Sequence, residues 1–179
     1  MKYVAFLRAI NVGGKNVIRM ADLRAAFEAL GFADVTTYLQ SGNVLFDAKK
    51  ASARGIEKRI EAMLKEMTGN EIAVMVRSAE DMKRIVAVDH FAGDDAGDSH
   101  RYVTFLRVAS DRDLPLSTQR GDAKVVFVSE REVYSISILV GERYGQAGSF
   151  VESKLKVAAT TRNWGVVKAI ADLLKAARQ

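Results

Sequence analysis

Apolar and polar residues alternate with a changing period over the first 77 residues. Four short runs rich in β-branched and aromatic residues predict strands, and two stretches with apolar residues three and four positions apart predict helices between them. Ser41-Gly42-Asn43 predicts a tight turn between the second and third strands. The predicted order is βαββαβ, that of the ferredoxin-like or α/β-plait unit. The predicted strands cover residues 3–8, 35–39, 44–46 and 72–76.

A connecting segment follows at residues 78–100. It opens with Ser78, which suits the N-cap of a third helix, and this helix weakens near Val88. The rest of the segment is polar, and residues 78–99 contain six acidic and two basic side chains. We therefore expect a connecting helix followed by an acidic loop.

The opening hexapeptide recurs in the second half of the chain. Residues 102–107 match residues 3–8 at five of six positions. Residues 111–120 then allow a short or irregular helix, residues 125–139 predict a hairpin, and Ser149 with Glu152 forms a capping box for a further helix. We interpret residues 101–179 as a degenerate second copy that ends in a helix with Trp164 on its apolar face.

The predicted fold class is therefore α+β, with two ferredoxin-like halves that arose by internal duplication and a C-terminal helix. The predicted domains are residues 1–77, the connection at 78–100, and residues 101–179. The first strand has bulky side chains on both faces, Tyr3 and Leu7 on one and Val4 and Phe6 on the other. Two buried faces suggest that the halves pack together.

Composition limits the function classes. The 179 residues are 49% hydrophobic, with 27 basic and 22 acidic side chains and a net charge of +5, which permits an anionic partner. The absence of cysteine excludes disulfides and thiolate chemistry and fits a cytoplasmic location. No apolar run approaches the length of a membrane span, so we expect no membrane partner.

The first candidate motif is Arg8-Ala9-Ile10-Asn11-Val12-Gly13-Gly14-Lys15-Asn16, between a strand and a helix. Its glycines let backbone N–H groups face an anion, and Lys15 adds positive charge. The spacing is not that of a P-loop. The alternative is a flexible connection whose glycines serve the turn.

The second candidate motif is Gln40-Ser41-Gly42-Asn43. A hairpin turn explains every residue of it except Gln40. Ser41 lacks both the sequence context of a nucleophilic serine and a nearby base.

The third candidate motif is Thr160-Thr161-Arg162-Asn163-Trp164. Thr161 or Asn163 can cap the last helix, which would place Arg162 at the positive N-terminal end of that helix. Trp164 suits a core position. An arginine beside capping amides and an aromatic ring also suits phosphate and base binding.

The acidic loop around His90 and His100 does not have the spacing of a metal site. We expect no metal and no cofactor.

The sequence resembles the bacterial domain-of-unknown-function family numbered 1697 at residues 7–14, at Met20 and Leu23, at residues 37–43 and at residues 161–164. The resemblance extends in order over essentially the whole chain. Two positions depart from the family pattern, since Ala9 stands where glycine is usual, and Gly165-Val166-Val167 stands where a Thr-Val pair is usual. The resemblance implies two ferredoxin-like halves and no particular reaction.

Our preferred hypothesis is a binding module for a phosphate-bearing ligand, either a nucleotide or a single-stranded nucleic acid. The alternatives are an enzyme of unknown reaction at the same motifs, and a structural or interaction domain in which the motifs form a polar network. The sequence leaves open the oligomeric state and whether the three motifs converge. The candidate ligand-binding residues are Arg8, Asn11, Gly13, Gly14, Lys15, Asn16, Gln40, Ser41, Asn43, Arg162, Asn163 and Trp164.

Overall fold

The computed structural model describes residues 1–14, 16–94, 97–110 and 117–176, which form two antiparallel sheets and five helices. The protein is therefore α+β, with a C-terminal helix. The first unit comprises Met1–Ile85 and the C-terminal residues from Ala169 onward, and the second unit comprises Val86–Lys168. The first division falls within the predicted connecting segment, and the second falls inside the last helix.

The first unit confirms the predicted order of elements over residues 1–77. Its strands lie in the order β2-β3-β1-β4, and every neighbouring pair is antiparallel. The helix α3 follows the last strand, and Ser78 caps it, since its Oγ accepts a hydrogen bond from the Asp81 N–H at 3.1 Å. The elements are β1 (Lys2–Leu7), α1 (Met20–Ala29), β2 (Ala33–Thr37), β3 (Asn43–Asp47), α2 (Ala53–Thr68), β4 (Val74–Ser78) and α3 (Ala79–Ala87).

Both faces of β1 are buried, as its sequence predicts. On one face, Tyr3 and Leu7 belong to the apolar cluster formed with α1 and α2. The rings of Phe27 on α1 and Phe46 on β3 meet edge to face within this cluster, with centroids 5.5 Å apart. On the other face, Val4 and Phe6 are fully buried.

Two carboxylates of α2 accept hydrogen bonds from backbone N–H groups of the edge strand β4. Glu57 accepts a hydrogen bond from the Val76 N–H at 3.0 Å, and Glu61 accepts one from the Val74 N–H at 3.1 Å. Edge strands present backbone groups that no further strand can bond. The two glutamates bond two such N–H groups of β4. Sequence periodicity gives no indication of this role.

The second unit has the strand order β6-β7-β5-β9, and a short strand β8 pairs with β7. The helix α4 packs against four of these strands. The predicted hairpin over residues 125–139 is confirmed. The elements are β5 (Ser99–Leu106), β6 (Ala123–Val128), β7 (Glu132–Val140), β8 (Arg143–Tyr144), α4 (Ala147–Leu155), β9 (Ala159–Asn163) and α5 (Trp164–Ala176).

The second unit differs from the sequence-based expectation in two places. The capping box at Ser149 is wrong, because α4 begins at Ala147. The Ala147 N–H donates to the Ser137 hydroxyl at 3.1 Å, so this helix end is satisfied by a residue distant in sequence. The strand β9 was not predicted. The short helix expected at residues 111–120 falls largely on residues outside the described part of the chain.

The two sheets share their register as well as their strand order. Val4 of β1 lies opposite Arg77 of β4, and Val103 of β5 lies opposite Arg162 of β9. In each unit the last residue of the first strand donates its N–H to a carbonyl in the turn before the third strand. Leu7 donates to Gly42 and Leu106 donates to Arg131, both at 2.8 Å.

Among the described residues, no helix combines the length and the apolar character needed to cross a membrane.

Candidate functional site

The loop after β1 is held in shape by Asn11. Its side-chain amide donates to the Ile18 carbonyl at 3.0 Å, and its side-chain oxygen accepts from the Ile18 N–H at 2.8 Å. The Asn11 N–H also donates to the Asn16 carbonyl at 3.2 Å. These bonds hold Asn11 next to Asn16 and Ile18.

Asn16 fixes the same loop from the other side. Its amide donates to the Ala9 carbonyl at 3.2 Å, and its side-chain oxygen accepts from the Asn70 amide at 3.1 Å. The loop is therefore attached to the segment that follows α2. Lys15, a predicted site residue, lies outside the described residues.

The second motif forms the predicted hairpin turn. The Tyr38 N–H donates to the Asn43 carbonyl at 2.9 Å. The fully buried Asn43 side chain donates back to the Tyr38 carbonyl at 2.9 Å and to the Ser41 hydroxyl at 3.0 Å. Asn43 and Ser41 thus stabilise the turn, as the structural interpretation of this motif expects.

The structure brings the first and second motifs together. The Asn11 amide donates to the Gln40 carbonyl at 3.1 Å, and the Leu7 N–H donates to the Gly42 carbonyl at 2.8 Å. A Cβ on Gly42 would lie 3.0 Å from the Leu7 Cβ and 3.2 Å from the Ile10 Cβ. We call the described residues 8–14, 16–19 and 38–43 the loop cluster.

The backbone of the loop cluster is unusual. Six non-glycine residues of the described chain have positive φ, and four of them, Ala9, Asn11, Asn16 and Leu39, belong to the loop cluster. Leu39 has φ of 58° and Ala9 has φ of 52°, although neither side chain favours the left-handed region. The surrounding hydrogen bonds therefore hold the backbone in a costly conformation.

A cleft of about 450 Å³ opens within the loop cluster. Three apolar side chains of the cluster are more than half exposed, Val12 at 62%, Val17 at 72% and Leu39 at 53%. None of the three is among the candidate ligand-binding residues, although apolar side chains inside a loop were a usable signal. The cleft is lined by Asn11, Gly14, Val17, Ile18, Arg19, Met20 and Gln40.

The positive charge at the cleft is partly neutralised. Arg19 pairs with Asp22 through two contacts, Nε to Oδ2 at 2.8 Å and Nη2 to Oδ1 at 3.0 Å. This hydrogen bonding raises the pKa of Arg19 and lowers the pKa of Asp22 below its ordinary value. Arg8 is exposed at the end of β1, where its N–H donates to the Ala73 carbonyl at 2.9 Å.

The third motif lies in the second unit. Arg162 is a residue of β9 that directly precedes Asn163, the residue before α5, and only 9% of Arg162 is exposed. Its Nη1 donates to the Thr160 hydroxyl at 2.8 Å and to the Thr161 carbonyl at 2.9 Å. Burial lowers the pKa of the Arg162 guanidinium to about 10, and the charge of Glu152 opposes that shift.

Asn163 and Trp164 of this motif also have internal contacts. Asn163 caps α5, since its side-chain oxygen accepts from the Gly165 N–H at 2.8 Å. Trp164 is 5% exposed, with its ring centroid 5.5 Å from that of Phe91 and 6.2 Å from that of Tyr134. The core position considered for Trp164 is therefore confirmed.

Comparison with known proteins gives a fold and a family. The structure of conserved bacterial protein SP0830 from Streptococcus pneumoniae is similar, with a TM-score of 0.69 and 20% sequence identity over 97% of this chain and 98% of that chain. At this identity the similarity shows the fold alone. No curated protein matches the sequence. The family described as "Protein of unknown function (DUF1697)" matches residues 1–134, and the chain belongs to that family.

Proposed function

We propose that the protein binds a phosphate-bearing ligand, a nucleotide or a single-stranded nucleic acid, at the loop cluster of the first unit. One observation carries this proposal. Four of the six described non-glycine residues with positive φ belong to the loop cluster, and one of them, Asn11, lines its cleft of about 450 Å³. Strained backbone persists where neighbouring structure imposes it, and it concentrates at ligand-binding sites.

The glycines of the first motif supply the means of holding a phosphate. Gly13 and Gly14 are exposed, have φ of 58° and 73°, and would meet no atom within 4 Å if a Cβ were added. Their backbone is thus open to close approach by a ligand. Consecutive amides in turn conformations form concave anion sites, and Lys15 follows them directly in the sequence.

The exposed apolar side chains suit the remainder of such a ligand. Val12 and Leu39 belong to the same loop cluster as the glycines, and Val17 lines the cleft with Gly14. Small-molecule sites combine apolar walls with a few placed polar groups. A nucleotide offers both an apolar ring surface and a charged phosphate.

We assign the third motif to the stability of the second unit and not to the ligand. Arg162 donates to Thr160 and to the backbone of its own strand, and the Trp164 ring is buried. Placing an anion on Arg162 would require these contacts to open. This assignment restricts the proposed site to residues of the first two motifs.

The direct test is an NMR titration of the ¹⁵N-labelled protein with inorganic pyrophosphate, adenosine 5′-monophosphate and a short oligothymidylate. We expect saturable shifts of the Gly13 and Gly14 amide signals that weaken with added salt. Gly31 and Gly121, which also have positive φ and open surroundings, provide internal controls that should not shift.

A pair of variants tests the location of the site. Gly14→Asp places a carboxylate at the proposed anion site, while Gly31→Asp makes the same change at φ of 80° outside the loop cluster. Aspartate tolerates this backbone region at both positions. Gly14→Asp should abolish binding and Gly31→Asp should preserve it. Equal binding by the two variants would contradict the proposal.

We also infer that residues 1–77 and residues 101–179 are ferredoxin-like copies of one ancestral sequence, joined by a connection at 78–100. The repeated hexapeptide, the shared strand order and the shared register support this inference. A further correspondence lies after each first strand, where Arg8 and Arg107 donate their N–H groups to Ala73 and Ala158, both at 2.9 Å.

A further inference from the structure

Gln40 differs from the other amide side chains of the first two motifs. The side chains of Asn11, Asn16 and Asn43 all hydrogen-bond within the first unit. Gln40 uses only its backbone carbonyl in this network, and its exposed side chain has no hydrogen-bond partner among the described residues. Folding of the loop cluster therefore makes no use of the Gln40 carboxamide.

The position of this free carboxamide is informative. Gln40 lines the same cleft as Gly14, so one cleft has a polar planar group and an open glycine backbone among its walls. The apolar residues Val17, Ile18 and Met20 also line this cleft. This combination suits a ligand with a phosphate, a flat apolar ring and a polar ring edge.

Given the proposed function, on which this inference rests, we propose that the ligand is a free mononucleotide and that Gln40 recognises its base. A carboxamide presents a donor and an acceptor side by side in one plane. Nucleobases present the complementary pair on their edges, as in the bidentate contact of glutamine with adenine. Gly13 and Gly14 hold the phosphate, and Val17 and Met20 pack against the ring.

The cleft favours a free nucleotide over a nucleic acid strand. Proteins that bind single strands stack successive bases on aromatic side chains along a positively charged groove. None of the described residues that line this cleft is aromatic, and Arg19, the arginine among them, is paired with Asp22. A volume of about 450 Å³ lies within the range of small-molecule sites.

The test compares three probes by calorimetry and by the amide signals of Gly13 and Gly14. The probes are adenosine 5′-monophosphate, ribose 5-phosphate and a short oligothymidylate. We expect the wild-type protein to bind the mononucleotide most tightly. Gln40→Ala should weaken mononucleotide binding roughly tenfold and leave ribose 5-phosphate binding unchanged. Gln119→Ala, at an exposed glutamine of the second unit, is the matched control and should change neither.

The outcomes separate this inference from the proposed function. Unchanged mononucleotide binding by Gln40→Ala, or equal wild-type affinity for the two small probes, overturns the role of Gln40 while the phosphate site stands. If the protein binds the oligothymidylate and not the mononucleotide, the ligand is not a free mononucleotide, but the proposed phosphate site is retained. If no probe shifts the amide signals of Gly13 and Gly14, the proposed function itself is wrong.

Discussion

Arg162 occupies in the second sheet the position that Arg77 occupies in the first. Each lies opposite a valine of the first strand of its unit, and both are buried, with 9% and 1% of the residue exposed. Each donates from Nη1 to the carbonyl of the preceding residue, Arg162 at 2.9 Å and Arg77 at 3.0 Å. The first unit has an arginine at the equivalent position although its sequence there lacks the third motif. We therefore infer that Arg77 and Arg162 have the same structural role.

Replacing Arg162 should therefore cost stability. Arg162→Ala removes the donor to Thr160 and to the backbone and leaves a cavity, so we expect the free energy of unfolding to fall by about 3 kcal/mol. Arg120→Ala, at an exposed arginine of the same unit, should change it by less than about 0.5 kcal/mol. Urea denaturation of both variants measures the difference. A loss for Arg162→Ala as small as that for Arg120→Ala would refute the structural role.

Gly42 is required where the hairpin turn meets the end of β1. Its φ is 72°, and a Cβ would lie 3.1 Å from the Leu7 carbonyl oxygen and 3.0 Å from the Leu7 Cβ. Gly42→Ala combines backbone strain with this overlap, so we expect a loss of about 2–4 kcal/mol in unfolding free energy. Gly31→Ala, with positive φ and open space, should lose only about 1 kcal/mol. Equal losses would show that the contact with Leu7 is unimportant.

The sequence predicted elements where side-chain periodicity or local turn chemistry decides the structure. The helix of residues 53–68 and its end at Gly69 follow from apolar spacing and one left-handed glycine. The strand β9 was missed because Thr160 to Asn163 is polar, and its place depends on pairing with β5, far away in sequence. The start of α4 was missed because no local side chain caps it, and the Ala147 N–H donates to Ser137 on β7 instead.

The candidate site was predictable to a similar extent. Polar motif residues such as Asn11 and Gln40 were found because a hydrophobic core does not need them. Their mutual contact depends on the way β1 and β3 pair, which brings the two loops to one end of the sheet. Exposed apolar residues such as Val17 and Leu39 were not found, because a sequence pattern does not show which loop residues remain uncovered.

Replacing Ala9 with glycine should stabilise the protein. A φ of 52° costs alanine about 1–2 kcal/mol. Glycine avoids this strain but loses more conformational entropy on folding, so only part of the strain energy is recovered. We expect Ala9→Gly to raise the free energy of unfolding by about 0.5–1 kcal/mol. Ala62→Gly, at an exposed position inside α2, should lower it by about 1 kcal/mol. Thermal unfolding of the two variants checks these opposite signs, and destabilisation by Ala9→Gly would contradict the strain.

Asp22 should restrain the affinity of the cleft for phosphate, because its two contacts neutralise Arg19. Asp22→Asn keeps the side-chain size, removes the negative charge and frees the guanidinium. We expect binding of adenosine 5′-monophosphate to strengthen roughly two- to fivefold at low salt and the gain to shrink as salt is added. The pKa of Asp22 is lowered below 3.8, so its carboxylate remains charged as pH falls from about 8 to about 5.

The wild-type protein should consequently show no gain in affinity from protonation of Asp22 in that pH range. Asp172→Asn is the matched control, because it changes the net charge equally and disrupts a similar exposed pair with Lys175 on α5. If both variants strengthen binding to the same extent, the effect is one of overall charge and Arg19 does not contact the phosphate. If only Asp22→Asn does so, the released arginine acts within the cleft.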